Sequence, residues 1–207
     1  MNVALETAGE RRRIFLLSPA NPKGERGKLL LRAEFDLALR LRRGEATLGE
    51  AFAFISGLYF RGKLSYARAF AAPPPGVPGA FVITAARGLV APETFITAED
   101  LEHIASVPID IGDPRYRAPL ERDCRTLDEI AGGLCDFVLL GSVATTKYLA
   151  PMEAVFGSRL LFPQEFAGRG DMSRGGLMLR CARAGEQLTY VPVGKATRHG
   201  PRPPKLD

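Results

Sequence analysis

Histidine and cysteine are scarce in this sequence, and their scarcity removes whole classes of chemistry. The 207 residues include two histidines and three cysteines. His103 falls in a polar helical stretch and His199 near the C-terminus, neither beside a metal-ligand partner, so both read as surface residues. With no HExxH, no paired His/Cys spacing and no acidic cluster, a zinc or di-iron enzyme is not expected. Cys124, Cys135 and Cys181 are odd in number and fit neither a zinc spacing nor CxxC. They read as small buried apolar residues; a nucleophilic thiol is the lesser alternative, since no histidine is placed to activate one. A chain of this length buries enough apolar surface to need no metal or disulfide staple. No cofactor and no metal are expected.

Long apolar runs are also missing. No stretch approaches the roughly 20 apolar residues that span a bilayer, so no membrane partner is expected. Arg11-Arg12-Arg13 precedes the first apolar run, which is only about five residues long, and a secretory leader is not expected. A reducing, cytoplasmic location is the default. Three familiar site motifs are absent as well. There is no GxSxG, which argues against an α/β-hydrolase. Lys23 to Lys28 superficially resembles a phosphate loop, but Leu29 follows Lys28 where GxxxxGK[ST] needs a hydroxyl. No GxGxxG follows a strand, so the dinucleotide fingerprint is missing.

What remains is an ordinary globular composition, 46% apolar and 25% charged. The length suits one domain. The organisation expected is a disordered N-terminus over 1–10, a single α/β domain over 11–193 and a basic, Pro-rich tail over 194–207. The net charge is +5 and is unevenly spread. Arg11 to Arg43 holds ten Lys/Arg against Glu25, Glu34 and Asp36. Further clusters are Arg61, Lys63 and Arg68, then Lys195, Arg198, Arg202 and Lys205. Any one is compatible with solvated surface; together they favour an anionic partner.

Ile14-Phe15-Leu16-Leu17, stopped by Ser18-Pro19, reads as a buried strand. Asn21 to Lys28 reads as a polar loop, and Leu29 to Leu41 as an amphipathic helix ended by Gly44. Thr47 and Glu50 form a capping box. The helix they start is predicted to reach about Ala71, with a break near Gly57 or Gly62. Ala80 to Thr84 is a second strand, and Thr97 caps a helix to about Ala105. Pro108 to Pro119 reads as irregular, with a helix from about Leu120 to Ile130. Phe137–Leu140 and Arg159–Phe162 are two more strands, with a helix over Tyr148 to Phe156 between them. Gly168–Gly176 reads as a glycine-rich loop. Leu177–Arg183 and Leu188–Val193 read as a hairpin, with a helix and a strand the alternative. Alternating strands and helices imply right-handed crossovers, hence a three-layer α/β/α domain with a mostly parallel sheet, Rossmann-like or uracil-DNA-glycosylase-like.

Ligands of such sheets bind beyond the C-terminal ends of the strands. The predicted exits carry Ser18, Asn21 and Lys23; Thr84, Arg87 and Gly88; Gly141, Ser142, Thr145 and Lys147; and Pro163, Gln164 and Glu165 leading to the glycine loop. Glycines, hydroxyls and cations are the groups a phosphate needs. Arg169 and Arg174 suit bidentate phosphate binding, with Ser173 between them. Asp171 or Glu165 suits a general acid or base. A structural turn with an internal Arg–Asp pair fits the same loop equally. Leu58 to Arg68 mixes aromatics with Arg61 and Lys63, and Tyr59 and Lys63 lie one turn apart. That pattern suits base stacking and backbone binding, or a half-buried helix with its aromatics turned to the core.

The order of these features resembles the YaaA-like and archaeosine-synthase-associated α/β domains, whose fold is similar to that of uracil-DNA glycosylases; it also resembles a bacterial hypothetical-protein family. The resemblance rests on Leu58-Tyr59-Phe60-Arg61-Gly62-Lys63, on Phe81 to Leu89 (similar to a SAKYGL strand exit), on Leu139-Leu140-Gly141-Ser142 with Lys147-Tyr148, and on Phe162-Pro163 leading to Gly168–Gly176. It spans about residues 14–180. Ser18-Pro19 stands where that group often has a cysteine, and the glycine loop is longer and richer in arginine. The resemblance implies a nucleic-acid or nucleobase connection. It does not extend to glycosylase activity, because no motif places a water-activating Asp beside a base pocket.

The function expected is therefore binding of a nucleotide or nucleic acid through a phosphate site at the strand exits and the 168–176 loop. One alternative is an enzyme acting on a nucleoside, modified base or sugar phosphate. Another is a non-enzymatic scaffold that uses the tail to bind a partner.

Overall fold

A computed structural model describes residues 11–143 and 148–196; the expected disordered N-terminus, Thr145, Lys147, His199 and most of the tail lie outside them. The elements run β1 (Arg12–Leu17), α1 (Glu25–Arg32), α2 (Asp36–Arg42), β2 (Ala46–Thr47), α3 (Leu48–Ser56), α4 (Leu58–Phe70), β3 (Ala80–Thr84), β4 (Gly88–Val90), β5 (Phe95–Ile96), α5 (Ala98–Ser106), α6 (Pro114–Ala131), β6 (Cys135–Leu140), α7 (Leu149–Phe156), β7 (Leu160–Pro163), α8 (Asp171–Ala184) and β8 (Tyr190–Pro192).

The sheet has six strands in the order β4-β3-β1-β6-β7-β8. β3, β1, β6 and β7 are parallel. β4 and β8 close the edges antiparallel. β1 pairs with β6 along its whole length, from Arg12 opposite Cys135 to Leu17 opposite Leu140. Ile14 to Leu17 and all of β6 are buried, as central parallel strands covered on both faces must be. The helices form two packed groups, α1 to α4 with α8, and α6 with α7. Right-handed crossovers on either side of β1 put these groups on opposite faces. The chain thus leaves the top of β1 toward one face and the top of β6 toward the other. Neighbouring exits that diverge in this way open a crevice between them.

Local signals account for much of this. Thr47 caps α3 and Thr97 caps α5, each in a reciprocal capping box. The break between α3 and α4 falls at Gly57, with φ of 59°. Four readings need correction. The helix expected over Leu29 to Leu41 is two helices, because the chain is extended at Ala33 and Phe35, where the Phe35 ring packs 5.0 Å from Phe54; the first of them begins inside the expected polar loop. The expected irregular stretch is helical from Pro114: the Asp113 side chain accepts the Arg115 N–H, and a proline at the first helical position costs no hydrogen bond. The glycine loop is helical from Asp171 onward, and the expected hairpin is the rest of α8 followed by β8. Gly175 in α8 is required because it packs against the backbone of α4.

Candidate functional site at the strand exits

The Ser18 N–H donates to Leu140 O at 3.2 Å, which extends the β1–β6 ladder one step past the strands and fixes Ser18 at the sheet's top edge. Lys63 reaches it from α4. Its Nζ donates to Ser18 Oγ at 2.7 Å and to Ser18 O at 3.0 Å. The same ammonium lies 3.8 Å from the centroid of the Tyr59 ring, one helical turn back. Lys63 is only 1% exposed and makes no ion pair among the described residues. Burial lowers its pKa to about 7; Asp171 pulls it back up, and Arg174 pushes it further down. The Tyr59 hydroxyl is buried beside Arg174. Burial raises it to about 12, against the pull of Arg174.

Gly141, at the β6 exit, completes the floor. A Cβ there would stand 2.9 Å from Ser18 Cβ and 3.2 Å from the Tyr148 hydroxyl, so any side chain would push these two groups apart. The Tyr148 hydroxyl accepts the Ser142 N–H at 3.0 Å and donates to Ser142 O at 2.9 Å. Its pKa is raised by burial and drawn down by that backbone bond and by Arg174. From α8, Arg174 donates to Phe166 O at 3.0 Å and to Gly141 O at 3.3 Å, tying the β7 exit to the β6 exit. α4 and α8 meet without intervening side chains: a Cβ on Gly62 would lie 2.6 Å from Gly175 O.

Among the residues proposed from sequence, the structure brings together Ser18, Lys63, Gly141, Ser142 and Arg174. Asp171 is exposed at the start of α8, near enough for its charge to act on Lys63, Tyr59 and Tyr148. The others are elsewhere. Asn21 and Lys23 line a separate cleft of about 370 Å³ with Pro19, Ala85, Ile104 and Val107, on the β3 side of β1. Arg87 is engaged by Asp100 at 2.9 Å. Arg61 is exposed and lines surface grooves beside α3. Arg169 donates to Glu165 O and Ser173 Oγ, which knits the turn before α8 internally. Glu165 accepts the Thr189 N–H with one oxygen, while its other oxygen is buried without a partner. The thiols of Cys124 and Cys135 are pushed up by burial to about 12 and about 11, unlike an activated nucleophile.

Two participants escaped the sequence reading of the site. Tyr59 carried a signal in its spacing to Lys63, but its burial beneath the ammonium depends on tertiary packing. Tyr148 entered only through the resemblance, beside Leu139-Leu140-Gly141-Ser142, and it is the fold that brings its hydroxyl back to Ser142. Among the described residues, no helix is long and apolar enough to cross a membrane, and no three His, Cys, Asp or Glu side chains group to hold a metal ion. These features define a mixed α/β protein with a polar cluster at its central strand exits. No family model, curated protein or solved structure matches the chain.

Proposed function

We propose that the protein binds a phosphate-bearing ligand, a nucleotide or a nucleic-acid segment, at the exits of β1, β6 and β7. The observation that carries this is the state of Lys63 and Arg174. Both sit at the strand exits, and both are satisfied by carbonyl and hydroxyl oxygens with no carboxylate paired to either. Arg174 is a cation held by neutral oxygens in a low-dielectric site, and a bound anion there would also favour the protonated form of Lys63. The exits of β1 and β6 diverge, and it is beyond such exits that sheets of this kind take ligands, which supports the reading. The overall charge of +5 adds long-range attraction for a polyanion. The closer likeness to YaaA-like domains and their uracil-DNA-glycosylase-like fold belongs to the same proposal.

The test is thermal denaturation of the full chain with nucleosides, nucleotides, sugar phosphates and short oligonucleotides, at low and high salt. A ligand at 100 times its Kd adds about 2.7 kcal/mol of stability. Nucleotides are expected to stabilise where nucleosides do not, and Arg174→Ala is expected to remove the shift. An oligonucleotide touching several phosphates loses affinity steeply with salt. Equal shifts for nucleosides and nucleotides, or an undiminished shift in Arg174→Ala, would count against the proposal.

A further inference from the structure

We propose that Ser18 is a nucleophile with Lys63 as its general base, and that the site hydrolyses a carboxylic ester bearing an anionic group. The choice of an anionic ester rests on the phosphate-site reading above; the nucleophile and base rest on their own geometry. Ser18 Oγ and Lys63 Nζ are 2.7 Å apart, within reach of direct proton transfer. The bond from Nζ to Ser18 O at 3.0 Å holds the amine beside that hydroxyl and fixes its approach. Ser–Lys pairs are an established variant of the serine–base arrangement and require a lysine that can be neutral. The groups around Nζ are Tyr59 and Phe60 on its own helix, Ser18 at the end of β1, Asp171 and Arg174 on α8, and Tyr148 before α7. Asp171 is the one anion among them, and it does not form an ion pair with the amine. Burial therefore sets the balance, and Lys63 loses its proton at about pH 7.

The neutral amine takes the Ser18 hydroxyl proton as Oγ attacks the ester carbonyl carbon. The tetrahedral intermediate collapses with cleavage of the carbon–oxygen bond to the leaving alcohol. Lys63 gives its proton to that alkoxide. Water then attacks the acyl-serine, its proton passing to Lys63 and on to Ser18 Oγ as the carboxylic acid departs. The balance is ester plus water to acid plus alcohol, with both side chains restored. The Tyr59 hydroxyl, buried beside Arg174, keeps its own proton to donate to the carbonyl oxygen as charge develops. Arg174 holds the anionic group of the substrate.

The experiment is labelling of the full-length protein with a fluorophosphonate reporter, read by mass spectrometry of the peptide containing Ser18. The reporter forms an Oγ–P bond as P–F breaks. Ser18 is expected to be labelled, at a rate that rises with pH through about 7. Lys63→Met and Lys63→Arg, neither able to act as a neutral base, are expected to slow labelling by about 100-fold or more. Absence of a Ser18 adduct on folded wild-type protein would overturn the proposal, as would an undiminished rate in Lys63→Met. If Lys63→Met does not fold, the wild-type profile decides, and a rate independent of pH across the neutral range would overturn the proposal. Nucleotide-induced stabilisation is measured on the same sample. Labelling without stabilisation upholds the nucleophile and counts against the phosphate reading, whereas stabilisation without labelling does the reverse.

Discussion

The two ends of the central sheet treat positive charge differently. Where β6 and β7 begin, cations meet carboxylates, while Arg12 and Arg13 at the start of β1 donate to Pro73 O and to Gln187. Arg11 pairs with Asp136 at 2.9 Å, and Arg159, stacked 5.6 Å from the Phe137 ring, pairs with Asp128 at the last turn of α6. Where β1, β6 and β7 end, Lys63, Arg169 and Arg174 meet only carbonyl and hydroxyl oxygens. The first arrangement is complete in itself and fastens a helix end to a strand. The second satisfies hydrogen-bonding geometry but leaves the charge unbalanced, which lowers stability and favours an incoming anion. The same residue class thus fastens helices to strands at one end of the sheet and is held by neutral oxygens at the other.

Four changes sharpen the contrast. The largest effect is expected from Gly175→Val, which forces a side chain against Leu58 O and Tyr59 Cα, 2.8 and 2.9 Å from the new Cβ. A loss of about 3 kcal/mol is expected in chemical denaturation, with the exit cluster disrupted although no charge has changed. Next is Lys63→Met. The unfolded lysine keeps its proton up to about pH 10.5 while the folded one releases it at about 7, so between these values the unfolded state binds more protons. Wild-type stability should therefore rise with pH across that window, by at most about 1.4 kcal/mol per pH unit, and the rise should vanish in the variant. Removing the buried charge offsets the loss of two hydrogen bonds, and at neutral pH a net gain of about 2 kcal/mol is expected. At the other end, Asp128→Asn should lose about 1 to 2 kcal/mol by leaving the largely buried Arg159 unpaired. The smallest effect is for Arg68→Ala, which breaks an exposed pair with Glu93; the change should stay below about 0.5 kcal/mol. A destabilised Lys63→Met, a wild-type stability that stays flat between pH 7 and 10.5, or an indifferent Asp128→Asn would erase the distinction between the two ends.

The sequence disclosed most of what is local. Thr47, Thr97 and Gly57 carry their roles in side-chain and backbone chemistry, and each acts where it was expected. The central strands were legible from short apolar runs bounded by turn residues. β4 and β8 were harder, because at the edges they have too few residues to show a period. The start of α6 was masked by Pro119, although Asp113-Pro114 is itself a helix-start signal. For the site, the exit rule led to Ser18, Gly141 and Ser142 because these follow strands directly, and Arg174 came from the glycine-rich stretch after the last exit. Lys63 was singled out as a phosphate-binding cation on an aromatic helix. Its burial beneath Ser18 is a property of how α4 lies on the sheet, which no spacing within α4 encodes. The same limit applies to Arg87, whose partner Asp100 lies beyond a hairpin edge and a turn.

The contact between Gly62 and Gly175 has a mechanical consequence. Side-chain interfaces can slip by repacking, but two backbones in direct contact have nothing to repack. α4 and α8 therefore move as one strut, with Lys63 and Tyr59 at one edge and Asp171 and Arg174 at the other. A ligand arriving at the strand exits meets a rigid frame whose dimensions are set by the peptide chain itself, so selection there depends on fitting that frame.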